Sequence, residues 1–307
     1  MKKILITGGA GFIASHVSDA YIAAGHSVAI IDNLTTGFRK NLPKKARFYR
    51  ADIRNLEAIE KIFKKERPEV VNHHAAIVEV VKSIRDPLST LTTNVLGTAN
   101  VLLAFGVHGA GSRKKFIFAS TGGAMYGSPR INPVNETTPP SPLSPYALSK
   151  LLGEHVIKYY ASQYGFSYLI LRYANVYGPR QNPHGEAGVV AIFGGLMKSG
   201  KQPTIFGDGT KARDYVYALD VARANTIALT RGINETVNLG TGKKTTDDMI
   251  FYAAAEATGY IGKPHYAPYR KGEVYQITLD ARKAEKVLGW TPKMKLQEGI
   301  RKTLAEL

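Results

Sequence analysis

Short apolar runs alternate with segments of helical periodicity over the first half of the chain. Because the runs are almost continuously apolar, they are typical of strands in a parallel sheet that helices cover on both faces. The predicted strands are 3–7, 27–31, 47–50, 70–73, 115–119 and 168–172. The predicted helices between them are 12–24, 56–66, 86–105 and 145–164. The pattern therefore predicts an α/β fold with a doubly wound parallel sheet and right-handed crossovers.

Glycine and proline punctuate the later part of the chain, above all over residues 178–209. Such punctuation is typical of loops, so we expect a smaller, loop-rich lobe there. Two later segments, 214–217 and 236–239, predict strands that return to the main sheet. We expect residues 1–174 to form the sheet domain and residues 175–307 to form mainly the substrate-binding lobe.

A glycine-rich turn follows the first predicted strand and opens the first predicted helix. Its spacing is Gly8-x-x-Gly11-x-x-Ala14. Gly8 allows a tight turn, and Gly11 lets the backbone approach the pyrophosphate of a dinucleotide at the helix N-terminus. Asp32 ends the second predicted strand, where a carboxylate accepts hydrogen bonds from the adenosine ribose and repels a 2′-phosphate. The pattern predicts a Rossmann-type domain that binds NAD rather than NADP.

Several polar residues at strand ends have a structural interpretation beside a functional one. Asp32 can cap a loop, and Asp52 can be a simple turn residue. Asp52, with Ile53 beside it, is also placed to meet the adenine of the dinucleotide. His73 and His74 end the fourth predicted strand, and no third ligand follows at a suitable spacing. We therefore interpret the two histidines as structural and predict no metal site.

Tyr146 and Lys150 stand four residues apart on a predicted helix, so they face the same side of it. A free phenol has a pKa of about 10, which a nearby ammonium lowers because it stabilises the phenolate. We therefore expect Tyr146 to be the catalytic base, and Lys150 to lower its pKa and hold the nicotinamide ribose. Ser120 and Thr121 end the fifth strand at the ligand-binding edge of the sheet. Thr121 is predicted to bond the substrate hydroxyl, although it can also be a turn cap.

The composition indicates the cellular compartment of this chemistry and the class of partner. The absence of cysteine excludes disulfides and thiolate metal sites, and it favours the cytoplasm. No run of about 18 apolar residues is present, so no membrane span is predicted. The formal net charge is +17, from 41 basic and 24 acidic residues. Because the basic residues are scattered, we expect an anionic small-molecule substrate and no nucleic-acid partner.

The chain resembles the extended short-chain dehydrogenase/reductases, and most closely the UDP-glucose (UDP-galactose) 4-epimerases. The motifs that carry the resemblance are 7–14, 32–37, 94–98, 121–127, 146–150, 172–178, 213–216, 238–242 and 270–273. The resemblance implies a UDP-sugar substrate whose C4 is oxidised to a 4-ketose, with NAD as cofactor, and then re-reduced on the opposite face. It also implies a homodimer, formed through the helices that follow Thr90 and Tyr146.

The resemblance further implies the residues of each half of the site. The implied cofactor-binding residues are Gly8, Gly11, Phe12, Ile13, Asp32, Asn33, Leu34, Thr35, Thr36, Gly37, Asp52, Ile53, His74, Ala75, Ala76, Ile77, Val78, Asn94, Ser120, Tyr146, Lys150, Tyr173 and Ala174. The implied substrate-binding residues are Thr121, Tyr146, Asn175, Val189, Val190, Ile205, Phe206, Arg213, Arg270, Glu273 and Ile277. Guanidiniums such as Arg213 and Arg270 suit a pyrophosphate because they donate two parallel hydrogen bonds, although each can instead form a surface ion pair. Glu273 stands where the family has aspartate.

The resemblance also limits the type of reaction, but it does not identify the sugar of the substrate. Related dehydratases and decarboxylases carry acids directly after the Ser/Thr, whereas this chain has Gly122 and Gly123, which cannot move a proton. Ile277 aligns with the residue that limits the family's sugar pocket, and an aliphatic residue leaves room for an acetamido group. UDP-N-acetylhexosamine, UDP-glucuronate and another nucleotide-sugar oxidation therefore remain alternatives. A non-catalytic NAD- or RNA-binding relative is the alternative of a different class, and the retained Tyr146 and Lys150 disfavour it.

Overall fold

Seven parallel strands form the central sheet of the computed structural model, which describes residues 1–111, 114–129, 131–184, 188–270 and 274–307. The strands are β1 (Lys3–Thr7), β2 (Ser27–Asp32), β3 (Arg47–Arg50), β4 (Val70–His73), β5 (Lys115–Thr121), β6 (Ser167–Tyr173) and β11 (Glu235–Leu239). Their order across the sheet is β11-β6-β5-β4-β1-β2-β3. The chain reverses its direction of travel between β1 and β4, which opens a crevice at the carboxyl ends of these strands. The predicted α/β fold is confirmed.

Helices connect the strands and continue into the second half of the chain. They are α1 (Phe12–Ala23), α2 (Leu56–Glu66), α3 (Val80–Arg85), α4 (Pro87–Leu91), α5 (Gly97–His108), α6 (Pro145–Tyr164), α7 (Val189–Lys198), α8 (Ala218–Ile227), α9 (Asp247–Thr258), α10 (Arg282–Leu288) and α11 (Leu296–Ala305). A 3-10 turn spans Arg39–Asn41, and a π-helical segment, Thr92–Leu96, joins α4 to α5. The single helix predicted over 86–105 is therefore a run of three helical segments.

Two apolar layers sandwich the sheet, as the almost continuously apolar strands require. On one face, Val17 and Tyr21 of α1 pack with Val221 of α8 in one buried cluster. On the other face, Phe63 of α2 and Phe105 of α5 pack with α6 in a second cluster. Because helices cover both faces, the strands present their backbone ends to the crevice, and the functional groups gather there.

The second lobe consists of short ribbons and helices with a separate core. Its strands are β7 (Asn175–Tyr177), β8 (Thr204–Phe206), β9 (Ala212–Arg213), β10 (Tyr215–Tyr217), β12 (Thr245–Thr246) and β13 (His265–Ala267). They pair two by two, as β7 with β10, β9 with β12 and β8 with β13. Phe193 of α7, Phe251 of α9 and Ile300 of α11 form the lobe's apolar core.

One strand predicted for the main sheet lies elsewhere. The later segment, 236–239, pairs with β6 as expected, but 214–217 contributes β10, which pairs with β7. The reason is a change of partner between adjacent residues. The N–H of Ala174 donates to the Leu239 carbonyl at 2.9 Å, whereas the N–H of Asn175 donates to the Asp214 carbonyl at 2.9 Å. The chain thus leaves the large sheet at this step, and the prediction that 214–217 rejoins it is wrong.

The helical run Pro87–His108 is apolar and 22 residues long, so by length and composition alone it could cross a membrane. No membrane-spanning segment is predicted there from the sequence. In the fold, 44% of its most apolar stretch is buried inside the protein. Val101, Leu102 and Phe105 pack there against the sheet layer that contains α2 and α6. Packing in the core accounts for the apolar character of Val101, Leu102 and Phe105.

Candidate active site

A cavity of about 790 Å³ lies at the carboxyl ends of the central strands and continues under the second lobe. Gly8 follows β1, Asp32 ends β2 and His74 follows β4, and all three line it. Thr121 of β5 and Tyr173 of β6 line it as well. The crevice predicted from the strand order is thus a real cavity with two halves, one on the sheet and one on the lobe.

The glycine-rich turn forms one wall of this cavity. Gly8 has φ of 71°, and a methyl group there would lie 2.7 Å from the backbone nitrogen of Ala75. Gly11 precedes α1 and provides no side-chain cap, and the first turn of α1 contains no acidic residue. The first N–H groups of α1 are therefore left for an anionic ligand. A dinucleotide pyrophosphate fits this turn because the backbone comes close and the positive end of the helix dipole is exposed.

Asp32 is fixed beside the turn by the backbone. One carboxylate oxygen accepts from the Ala10 N–H at 3.0 Å, and the other accepts from the Leu34 N–H at 2.8 Å. Each oxygen keeps a further lone pair for a ribose hydroxyl. Asp52 stands nearby, and its pKa is held well below the ordinary value by hydrogen bonds from the Arg54 side chain. Both predicted acids therefore line the cavity.

His73 and His74 differ in their surroundings. His73 is buried between the hydroxyls of Thr7 and Thr98, at 2.6 and 2.9 Å, and burial lowers its pKa well below the ordinary value. His74 lines the cavity and lies 3.2 Å from the Tyr173 hydroxyl. Burial, and then the charge of Lys150, lowers the pKa of His74 to about 3. Both rings are neutral near neutral pH, and within the described ranges no cluster of three metal-ligating side chains contains them.

Tyr146, Lys150 and Thr121 meet at the base of the cavity. Helix α6 begins where the Ser144 hydroxyl accepts from the Ala147 N–H at 3.2 Å, so Tyr146 lies in its first turn. The Tyr146 hydroxyl hydrogen-bonds the side chain of Thr121. The Lys150 ammonium donates to the Ala119 carbonyl at 2.8 Å. All three predicted catalytic residues are therefore in one place, with Thr121 adjacent to the phenol.

The electrostatics of this group depart from the prediction. Burial raises the pKa of Tyr146 to about 12, and the hydrogen bond from Thr121 offsets only part of this rise. Burial also lowers the pKa of Lys150 to about 8, although the negative charge of Glu154 opposes that shift. The expectation that Lys150 lowers the Tyr146 pKa is wrong, because the net shift is upward. Desolvation outweighs the ammonium, which bonds a strand carbonyl instead of the phenol.

The opposite half of the cavity is lined by residues of the second lobe. The Arg270 guanidinium lies over the Phe206 ring, 3.4 Å from its centre. Arg213 stands in the ribbon β9, and its guanidinium donates to the carbonyls of Ala212 and Tyr275 at 3.0 and 3.1 Å. Both cations face the cavity from fixed positions. Together they place two positive charges on the lobe side of the cavity.

Most predicted ligand residues line the cavity. On the cofactor side these are Gly8, Gly11, Phe12, Ile13, Asp32, Asn33, Thr35, Thr36, Gly37, Asp52, Ile53, His74, Ala75, Ala76, Ile77, Val78, Ser120, Tyr146, Lys150, Tyr173 and Ala174. On the substrate side they are Thr121, Tyr146, Asn175, Val189, Val190, Ile205, Phe206, Arg213 and Arg270. Their individual ligand roles remain predictions, but the structure brings them to one surface.

Four predicted residues are exceptions. Leu34 is not part of the lining, although its N–H fixes Asp32. Asn94 is buried and bonds the N–H and carbonyl of Ile77 at 2.8 and 2.9 Å, so it supports a lining residue from behind. Ile277 belongs to the main core and is not part of the lining, because it pairs with the backbone of β9 and turns inward. Glu273 lies outside the described residues.

Sequence reasoning missed several residues of this cavity. Arg180, Gln181, Lys211, Tyr215 and Asp247 all line it. Lys211 and Asp247 form a buried ion pair at 3.3 Å. Arg180, Gln181 and Lys211 enter the site from loops without a recognisable motif. Tyr215 begins β10 inside the motif 213–216, and Asp247 begins α9, but no local pattern marks either as a cavity residue. Only the contact between distant segments brings them together.

Comparison with known proteins agrees with this geometry. Residues 4–240 match the model of the NAD dependent epimerase/dehydratase family. A putative UDP-glucose 4-epimerase of Methanocaldococcus jannaschii is 49% identical over 98% of this chain and 97% of its own. The chain belongs to the NAD-dependent epimerase/dehydratase family.

Solved structures of this family superimpose closely on the chain. The UDP-glucose 4-epimerase of Thermotoga maritima, solved with UDP-glucose, has a TM-score of 0.96 and 48% identity, and the match covers 99% of this chain and 97% of that one. The UDP-glucose 4-epimerase of Thermus thermophilus, solved with NAD, has a TM-score of 0.93 and 44% identity, with 99% and 98% covered. The likeness therefore extends over both halves of the cavity of this family member.

Proposed function

We propose that this chain is an NAD-dependent UDP-glucose 4-epimerase. The observation that carries the proposal is that one cavity is lined by the Gly8 turn on the sheet, by Tyr146 and Thr121, and by Arg213 and Arg270 of the lobe. One cavity therefore has room for a dinucleotide on one side, a nucleotide sugar on the other, and a proton acceptor between them. The similarity to UDP-glucose 4-epimerases over nearly the whole chain supports the same activity.

The residues present fit NAD as the cofactor. The Gly8 turn and the first turn of α1 would hold the pyrophosphate, and Asp32 would hold the adenosine ribose. The Asp32 carboxylate would repel a 2′-phosphate, which favours NAD over NADP. Lys150 stands one helical turn beyond Tyr146 and would bind the nicotinamide ribose. NAD, when bound, supplies the acceptor that takes hydride from C4 and returns it to the opposite face, and its nicotinamide ring carries a positive charge.

The protein's own part of the reaction is proton transfer and orientation. Tyr146 takes the proton of the C4 hydroxyl as that carbon is oxidised, and it returns a proton when the 4-ketose is reduced. Thr121 bonds the same hydroxyl and orients it toward the phenol. Arg213 and Arg270 hold the pyrophosphate, so the sugar can turn over about that link and present its other face. A positive charge beside Tyr146 favours the phenolate, which offsets the rise in pKa that burial causes.

The proposal is tested by assaying purified protein for interconversion of UDP-galactose and UDP-glucose without added reductant. We expect activity in wild type and a loss of about a thousandfold or more in Tyr146→Phe, which keeps the ring but removes the proton acceptor. NAD bound to the variant, released by denaturation, should match wild type. Stoichiometric net formation of NADH with substrate would contradict the epimerase and indicate a dehydrogenase.

UDP-glucose and UDP-galactose are favoured over the alternative substrates. The expectation of room for an acetamido group depended on Ile277, which is buried in the main core and is not part of the cavity lining. The Gly122/Gly123 pair contains no group that can move a proton, so elimination is not favoured either. A non-catalytic role is disfavoured because Tyr146, Thr121 and Lys150 are assembled in one cavity.

We also propose that the chain forms a homodimer through α4, the π-helical segment and α6. Leu88 and Leu96 on the first two elements are 76% and 56% exposed, and Leu148, Leu152 and Tyr159 on α6 are exposed as well. Isolated exposed apolar residues are ordinary, but several on two packed helices indicate a covered face. Light scattering should give the dimer mass for wild type and the monomer mass for Leu152→Glu. A wild-type monomer would contradict this proposal.

A further inference from the structure

A buried ion pair lies directly behind the catalytic residues. Glu154 follows Lys150 by four residues on α6, so Tyr146, Lys150 and Glu154 share one face of the helix. Glu154 is 1% exposed and is bound by the Arg172 guanidinium at 2.9 and 2.7 Å. A second donor, the Ser120 hydroxyl, reaches the same carboxylate at 2.6 Å. None of these bonds is needed for the proton transfer assigned to Tyr146.

Each partner of Glu154 is tied to the site or to the sheet below it. Ser120 precedes Thr121, the residue whose side chain bonds the Tyr146 phenol. Arg172 lies opposite Ser120 in the β5–β6 register. The Glu154 carboxylate thus joins α6 to two adjacent strands at the level of the reacting groups. A shift of α6 along the sheet would break these bonds first.

The charge of Glu154 also matters because Lys150 has few other counter-charges. Three kinds of uncharged ring surround Lys150. They are the imidazoles of His73 and His74 at the end of β4, the phenol of Tyr146 on α6, and the Phe118 ring of β5. The Lys150 nitrogen lies 4.9 Å from the centre of the Phe118 ring. Arg172 on β6 is the further charge, and it lies across the carboxylate of Glu154. Among these neighbours, Glu154 supplies the negative charge.

We propose that Glu154 is a positioning residue, which locks α6 to the end of β5 that bears Thr121 and places a buried negative charge one helical turn beyond Lys150. This inference rests on the proposed function, since it concerns the same Tyr146 and Lys150. It predicts that Glu154 controls the pH at which the enzyme loses activity on the alkaline side. A merely structural ion pair would change stability and leave that pH unaltered.

The test is the pH dependence of kcat for UDP-galactose in the NAD-loaded enzyme, from about pH 6 to pH 10. Loss of the Lys150 charge should define the alkaline limb in wild type, because burial lowers the Lys150 pKa into the range that the assay covers. Glu154→Gln removes the charge that raises this pKa, so the alkaline limb should move down by about one pH unit. At the midpoint of the wild-type limb, the charged fraction of Lys150 would fall from about one half to about one tenth, and kcat about fivefold. Glu154→Asp, which keeps the charge, should restore the wild-type limb.

The chain offers a matched control in Glu66. This carboxylate is also buried, accepts bonds from the Arg47 guanidinium at 2.9 and 2.6 Å and is bound by a tyrosine hydroxyl, but it does not line the cavity. Glu66→Gln should lower the unfolding temperature and leave the pH profile unchanged. An alkaline limb that stays at the wild-type pH in Glu154→Gln would overturn the inference.

A second variant covers the case in which Glu154→Gln does not fold because Arg172 is left unpaired. The double variant Glu154→Gln/Arg172→Met removes both charges of the ion pair, so no unpaired guanidinium is left behind α6. Its alkaline limb should also lie below that of wild type, and a limb at the wild-type pH would overturn the inference. Wild type that fails to interconvert the two UDP-sugars would contradict the proposed function instead, so the two failures are distinguishable.

Discussion

The sheet half and the lobe half of the cavity are built in different ways. On the sheet half, Gly8, Asp32 and Thr121 stand at the carboxyl ends of β1, β2 and β5 in one continuous hydrogen-bonded sheet. On the lobe half, Arg213 stands in β9, a strand of two residues, and Phe206 stands in β8, a strand of three residues. The sheet half therefore depends on regular local structure, whereas the lobe half depends on contacts between distant segments. We infer that the first half fixes the cofactor and the chemistry, and the second half fixes the substrate.

The largest expected effect tests the sheet half. Gly8→Ala would place a methyl group 2.7 Å from the Ala75 nitrogen and would put an L-residue at φ of 71°. The turn must then open, so we expect NAD affinity to fall about a hundredfold and the purified protein to carry little cofactor. Released NAD, measured after denaturation, checks this expectation.

A matched glycine separates backbone strain from loss of the cofactor turn. Gly25 has a similar φ of 81°, but nothing lies within 4 Å of a methyl group there. Gly25→Ala should cost about 1 kcal/mol of stability and retain a full complement of NAD. Equal NAD content in the Gly8 and Gly25 variants would contradict the role of the turn.

An intermediate effect tests the lobe half. Arg213→Met removes a charge-assisted donor worth about 1.5–3 kcal/mol, so kcat/KM for UDP-galactose should fall by about ten- to a hundredfold. Because Tyr146 is untouched, the loss should appear mainly in KM, with NAD content unchanged. The exposed Arg282, which bonds Asp280 on the surface, supplies the control Arg282→Met with wild-type kinetics. A fall in kcat alone, with KM unaltered, would refute the division between the halves.

The smallest effect concerns stability on the sheet half. Lys150 has a folded-state pKa of about 8, below its ordinary value of 10.5, because burial disfavours its charge. Below pH 8 the folded and unfolded states both carry the charge, so the full cost of burying it is present. That cost shrinks as pH rises from about 8 toward about 10.5. Lys150→Met should therefore be inactive but more stable than wild type.

Urea unfolding measures this last difference. At pH 7 the gain in the free energy of unfolding should be about 1–3 kcal/mol, because the lysine's bonds to Ala119 and Phe118 offset part of the cost. At pH 10 the gain should be much smaller. A gain that grows with pH would show that burial of the Lys150 charge is not the cause.

The two halves also differ in how well the sequence predicts them. The six strands before residue 174, the Gly8 turn and the Tyr146/Lys150 pair are recognisable because each has a local pattern with a fixed period or spacing. The path of 214–217 cannot be recognised in this way. The chain changes sheets after Ala174, and that change depends on which distant strand provides the carbonyl that accepts the next backbone hydrogen bond. Ile277 is another case, because it belongs to the core rather than to the cavity lining, and its role in the sugar pocket stays a prediction. Its inward orientation follows from its pairing with β9, which the sequence around it does not encode.

The electrostatics of the site were also beyond sequence reasoning. Spacing alone shows that Tyr146 and Lys150 share a helix face, but it does not show how deeply they are buried. Burial determines both pKa values here, and it moves them in opposite directions. Likewise, the Glu154–Arg172 pair joins a helix to a strand and is visible only once α6 is docked on the sheet.

The glycine pair after Thr121 has a consequence for how such an enzyme can diverge. A methyl group at Gly122 would lie 2.4 Å from a Leu279 methyl, and one at Gly123 would lie 2.7 Å from the Asn175 amide oxygen. An acidic side chain that could catalyse elimination therefore cannot arrive by one mutation without displacing the core or a substrate-side amide. A dehydratase built on this site would therefore need Leu279 or Asn175 to move aside, in addition to gaining the acid itself.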